Sequence, residues 1–215
     1  MNLYEEKESA LIPDFSVLAS DGNARVGEFR MPRHSLQTPT FMPVGTRGSV
    51  RTITSQDLEE IGADIILGNT YHLMLRPGEA LIEEFGGIHG FANWPRLVLT
   101  DSGGYQVFSL EPYVDDDGVE FKSTYDGSMH RLTPEKAVEI QISLGSDIQM
   151  VLDVCPPIPA ENGVVEMAVE RTHQWAKRGR DHFLKIRDSG HSDKAQFGIV
   201  QGGLNSDLRR VSAEQ

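Results

Sequence analysis

The chain has 215 residues, 39% apolar and 24% charged, with a formal net charge of −12, which suffices for one sizeable core and argues against simple electrostatic adhesion to nucleic acid. No run of ~20 apolar residues is present, which excludes a transmembrane helix. The single cysteine, Cys155, excludes an internal disulfide and suits a reducing cytoplasm.

The first residues, MNLYEEKESA, are acidic and lack an apolar h-region, so they do not read as a secretory signal. TFMPVG (40–45) reads as a short strand. Thr54 followed three residues later by Asp57 predicts a capped helix start. ADIILGN (63–69) and LVLTD (97–101) are continuous apolar runs of the kind buried on both faces of a parallel sheet. GVEFKSTYDGSMHRL (118–132) alternates around Asp126-Gly127 and reads as a hairpin insertion after the third strand. TPEKAVEIQISLG (133–145) predicts a helix with Thr133 as cap, Pro134 in the first turn and Gly145 as terminator. DIQMVLD (147–153) and FGIVQGG (197–203) are the fourth and fifth strands. A long helix over 163–187 lies between them, and another begins at Asn205 or Ser206.

Repeated β-α order implies parallel strands with right-handed crossovers. An open doubly wound sheet and a (β/α)8 barrel both fit. A complete barrel needs ~250 residues, so five strands read as part of one, within one catalytic domain spanning 1–215 that is truncated at its C-terminus. Charge is uneven: residues 1–170 carry 11 basic and 27 acidic side chains, residues 171–215 carry 9 and 5. The basic stretch 171–187 reads as a solvated helix face.

Polar side chains mark the strand ends. Asn69 follows DIILG, Asp101 follows LVLT, Asp153 follows IQMVL and Gln201 follows FGIV. In parallel α/β folds these ends form one ligand-binding rim. A carboxylate accepts two hydrogen bonds and an amide both donates and accepts, so together they complement the edge of a guanine. Tyr105 offers a stacking face, and Gly103-Gly104 allow close backbone approach. Each also has a structural reading. Asp101 and Asn69 are possible helix caps, Gly103-Gly104 and Gln201-Gly202-Gly203 possible turns, Asp153 a loop residue paired with arginine, and Tyr105 and His72 core. Cys155 lacks an evident histidine partner and reads as a pocket wall. The seven histidines show no metal spacing, Asp115–Gly118 lacks the spacing of a calcium loop, and there is no phosphate loop.

The segments LGNTYHLMLRPG, TDSGGYQVFSL, DGSMHRLTPE, LDVCPP and GIVQGG resemble motifs of the tRNA-guanine transglycosylases, over residues 13 to 215. The resemblance implies a (β/α)8 barrel that exchanges guanine at the tRNA wobble position for a 7-deazaguanine, in bacteria preQ1, toward queuosine. It implies double displacement at the ribose C1′ through a covalent enzyme–RNA intermediate. By resemblance, Asp101 is the acid/base, Asp153 and Gln201 read the base, and Tyr105 stacks on it. Ser102, Gly103 and Gly104 line the floor, Gly202 and Gly203 belong to the binding strand end, and Asn69 and Gln106 lie near the ribose. Cys155 resembles the bacterial form that favours preQ1 over queuine, while Val154 departs from the glutamate common there. The nucleophilic aspartate, the zinc ligands and most of the tRNA surface are expected beyond residue 215, so this chain alone is expected to bind no zinc and to be inactive. Family members resemble homodimers. Two other readings compete: a barrel glycoside hydrolase using Asp101 and Asp153, whose carboxyls would sit ~5–10 Å apart, and a non-catalytic base-binding partner subunit.

Overall fold

Alternating side chains split the apolar strands between two faces, and that split organises the molecule. The computed structural model describes residues 13–157, 159–160, 163–191 and 193–215. The MNLYEEKESA stretch lies outside them.

The chain opens with an antiparallel sheet of β1 (Asp14–Asp21), β2 (Ala24–Arg30) and β3 (Ser35–Thr38). The sequence reading assigned nothing here, because these strands leave most side chains exposed and lack a clean alternation. β4 (Val44–Gly45) is shorter than the predicted strand over 40–45. α1 (Ser55–Glu60) starts as predicted: Thr54 accepts from the Asp57 N–H while Asp57 accepts from the Thr54 N–H. β5 (Ile65–Gly68), α2 (Thr70–Leu75), α3 (Glu79–Glu84), α4 (Gly87–Ala92), β6 (Leu97–Thr100) and α5 (Gly104–Phe108) follow.

β7 (Tyr113–Val114), β8 (Val119–Lys122) and β9 (Met129–Leu132) pair antiparallel, with Val119 opposite Leu132 and Lys122 opposite Met129. Next come α6 (Pro134–Ser143), capped by Thr133, and β10 (Ile148–Met150). α7 (Val164–Asp188), β11 (Ala195–Phe197) and α8 (Ser206–Glu214), capped by Asn205, complete the chain. The fourth and fifth strands are therefore shorter than 147–153 and 197–203, and β11 starts and ends earlier. Their ladders stop at Gln149 opposite Thr100 and at Met150 opposite Phe197. Asp153 and Gln201 thus sit three and four residues past their strands.

β4, β5, β6, β10 and β11 form one parallel sheet in strictly sequential order, open at both edges. This order lacks the reversal of a doubly wound sheet. Ile66 and Val98 face the helices, packing with Leu73, Ile82, Ile88, Ile140, Leu144 and Trp175. Ile65, Leu97, Leu99 and Ile148 face the other way, against Met31 and Leu36 beside the N-terminal sheet.

Asp147, just before β10, is buried and accepts from His89 Nε2 at 2.9 Å and the Val98 N–H at 2.8 Å, with Arg33 Nε at 3.3 Å and Lys194 Nζ at 3.9 Å. Burial opposes its ionisation, but His89, the Val98 amide and Lys194 outweigh it and hold the carboxyl below its usual value. Part of the basic stretch of α7 is engaged within the fold. Arg178 makes a two-pronged contact with Glu135 at 2.8 and 2.9 Å, and Arg171 meets Asp116 at 3.2 Å. No helix among the described residues is long and apolar enough to cross a membrane.

Candidate active site

At the carboxyl ends of β5, β6 and β10 the sheet stops supplying partners, and side chains take over. Asn69 caps α2, its Oδ1 accepting from the His72 N–H at 3.0 Å, while its Nδ2 donates to Asp101 at 2.6 Å. The reading of Asn69 as a helix cap therefore holds, and the same side chain also reaches Asp101. The Thr70 N–H donates to Asp101 Oδ1 at 2.8 Å, and the Gly103 N–H to the same oxygen at 3.1 Å. The Thr70 hydroxyl donates to the Asp101 carbonyl at 2.5 Å. Thr70 is fully buried and was missed from sequence; its only signal is a hydroxyl beside a predicted cap.

Gly103 has φ +79°, and a Cβ there would press on the Tyr71 backbone nitrogen at 3.2 Å. Gly104 leaves room for Asp153, whose carbonyl oxygen would lie 3.1 Å from an added Cβ and whose Oδ1 would lie 3.4 Å away. Backbone clearance thus brings the 101–104 turn against the segment after β10. Ser102 is buried, accepts from the Gly104 N–H at 3.3 Å and lowers the Asp153 carboxyl's pKa against the effect of burial. Gln201 Nε2 donates to Asp153 Oδ2 at 2.7 Å, and the Gln201 N–H donates to Ser212 Oγ at 2.9 Å. Among the described residues one Gln201 amide hydrogen is used, and its second hydrogen and its carbonyl have no partner.

Both carboxyls are unusual. Burial raises Asp101 to about 6 against the Thr70 and Gly103 amides, and the charge of Asp153 adds to the rise. Burial likewise raises Asp153 to about 6 despite its bond from Gln201. Among the described residues no cation neutralises either one, which suits a group that holds or releases a proton near neutral pH.

Tyr105 is 70% exposed, which removes its core reading and leaves its ring free. Gln106 Oε1 is buried without a hydrogen-bond partner among the described residues. Cys155 is exposed, and burial of its thiol together with the Asp153 charge raises its pKa, so it is no activated thiolate. Gly202 has φ +114° and a Cβ there would meet the Arg209 backbone nitrogen at 2.6 Å. Gly203 also has positive φ, at +54°. Both lie in the turn that packs on α8. His72 is half-buried, bonding the Tyr125 hydroxyl at 2.8 Å. Among the described residues no three His, Cys, Asp or Glu side chains come together as a metal would require.

The profile of the queuine tRNA-ribosyltransferase family matches residues 20–215. The chain is 53% identical over 196 residues to the queuine tRNA-ribosyltransferase of Herpetosiphon aurantiacus, covering 90% of this chain and 48% of that protein. It is 51% identical over 198 residues to that of Natranaerobius thermophilus, covering 91% and 52%. With that of Agrobacterium fabrum it shares 50% over 202 residues, covering 93% and 52%. The chain spans about half the length of the curated relatives it matches. By this match the chain belongs to the queuine tRNA-ribosyltransferase family.

Proposed function

We propose that this chain supplies the base-recognition and proton-handling part of a tRNA-guanine transglycosylase. It would exchange guanine at the tRNA wobble position for a 7-deazaguanine, preQ1, in queuosine biosynthesis. The observation that carries the reading is that Asp101, Asp153 and Gln201 sit together beyond the ends of the parallel strands, Gln201 bonded to Asp153 and the charge of Asp153 felt at Asp101. The sequential strand order supports five strands of a (β/α)8 barrel.

In this reading the Asp153 carboxylate accepts the two N–H donors on the guanine edge, and the free Gln201 hydrogen binds the base carbonyl. Tyr105 covers one face of the ring, Ser102, Gly103 and Gly104 form its floor, and Cys155 borders the substituent that distinguishes preQ1. Asn69 and Gln106 lie near the ribose; the orphaned Gln106 carbonyl suits a ribose hydroxyl. A carboxylate nucleophile supplied from outside residues 1–215 attacks C1′, and the C1′–N9 bond breaks. Asp101 gives its proton to the departing base, then takes the N9 proton of the incoming one as that nitrogen displaces the carboxylate. One carboxyl near pKa 6 serves both directions because the two bases have like N–H groups. The working form is taken to be a cytoplasmic homodimer, with any zinc held by residues outside 1–215.

The test is base exchange. The natural gene product, given tRNA and labelled guanine, incorporates label into the anticodon loop. Folded protein that incorporates none removes the reading. Binding of guanine without exchange favours a non-catalytic base-binding subunit, and binding of glycosides instead favours a hydrolase.

A further inference from the structure

One helical turn from Asp101, positive charge gathers around a single ring. His72, at the third position of α2, meets the Tyr125 hydroxyl through Nδ1 at 2.8 Å, and Arg47 Nη2 donates to the same hydroxyl at 3.2 Å. The Arg47 guanidinium lies 5.7 Å from the Tyr125 ring centroid and that of Arg76 lies 5.6 Å from it. Three separate segments meet here: the loop after β4, the end of α2 and the β8–β9 turn. The turn is anchored to α2 a second time, by the Tyr71 hydroxyl against Thr124 Oγ1 at 3.0 Å.

The cluster lacks a counter-charge. Among the described residues neither Arg47 nor Arg76 has a carboxylate within 4.0 Å, although the chain carries 32 acidic residues and many other arginines are paired. Asp126, next in sequence to Tyr125, accepts instead from Ser128 N–H and Oγ, at 3.1 and 2.7 Å. Burial and the charge of Arg47 push His72 below its usual pKa, so it stays neutral and orients Tyr125. Arg47 and Arg76 are both exposed, and two guanidiniums held at one ring with no carboxylate partner among the described residues suit an anion. α7 is more basic in sequence, but its Arg171 and Arg178 are already engaged.

We propose that Arg47, Arg76 and Tyr125 form a clamp for a backbone phosphate of the RNA, adjacent to the nucleotide held at Asp101 and Asp153. This rests on the transglycosylase reading and extends it from the base to the strand that carries it. The contact is with phosphate, so it positions the RNA without reading sequence.

The experiment is fluorescence anisotropy of labelled tRNA on the natural gene product, across a salt series. Arg47→Ala and Arg76→Ala are each expected to weaken binding about tenfold, the worth of one charge-assisted hydrogen bond. Each is expected to reduce the log–log salt slope by about 0.7 to 1. Arg76→Lys recovers the slope but only part of the affinity, because it keeps charge and loses the planar fork. Free-guanine binding by the same variants reports an intact base site, and in exchange assays KM for tRNA rises by a larger factor than kcat falls. Wild-type affinity and slope in both alanine variants overturn the clamp alone. Loss of competition by inorganic phosphate with unchanged tRNA affinity also overturns it, assigning the arginines to a free anion. Wild-type protein that binds no tRNA removes the clamp and the transglycosylase reading together.

Discussion

β10 carries an aspartate just before it and another three residues after it, and the two keep opposite company. Asp147, at the amino end, lies among His89, Arg33 and Lys194 and is held below its ordinary pKa. Asp153, at the carboxyl end, meets Gln201 and Ser102, both neutral, and is raised to about 6, as is Asp101 beside it. Burial opposes ionisation at both ends; the partners decide the outcome. A carboxylate matched with cations is a permanent charge that fastens strands and helices. One matched only with dipoles is left able to trade a proton or to accept the donors of a ligand. The comparison separates scaffold from chemistry within one short strand.

The largest effect that would break this contrast is on stability. Asp147→Asn strands the buried His89 without its carboxylate and is expected to cost about 3–5 kcal/mol, read from the urea midpoint. A loss under 1 kcal/mol would mean the amino-end charges are already solvated. Asp101→Asn is expected to do the reverse: stability close to wild type, while base exchange falls ~10²-fold or more. Wild-type turnover in that variant would discard its acid/base role.

The pH dependence sharpens the same point. Groups raised in the folded state contribute stability that is full below about pH 4 and lost as pH rises through about 6. Asp147 is lowered, so its contribution is present above about pH 4 and lost as pH falls through its folded value. Between pH 7 and pH 5 the urea midpoint is therefore expected to rise, and an Asp101→Asn, Asp153→Asn double variant is expected to flatten that rise. An unchanged slope would detach the trend from the site. The smallest effect concerns Cys155, whose thiol is raised by burial and by Asp153. Alkylation at neutral pH is expected to be slow and to quicken modestly in Asp153→Asn. No change would mean the Asp153 charge does not reach the sulfur.

Much of this was legible along the chain because it is local. The Thr54–Asp57 reciprocal cap, Thr133-Pro134 before α6 and the apolar runs of β5 and β6 depend on neighbours a few residues away. The convergence of Asp101, Asp153 and Gln201 followed from a topological rule about strand ends, even though two of those strands stop early. What stayed hidden is non-local. The N-terminal sheet leaves most of its side chains exposed. The Asp147 cluster joins residues 33, 89, 98, 147 and 194, and Thr70 acts by a backbone amide that no residue type announces. Arg47, Arg76 and Tyr125 looked unremarkable singly, while the basic run that stood out in sequence turned out to be engaged at Arg171 and Arg178 within the fold.

Asn69 ties two tasks to one amide: its oxygen ends a helix and its nitrogen grips Asp101. Drift at this position is constrained twice over, since a residue that satisfies one duty fails the other. Aspartate would cap α2 equally well yet set two like charges face to face, whereas serine would cap it and let go of its neighbour. Only an amide combines both, so the geometry of the acid is inherited with the helix rather than assembled beside it.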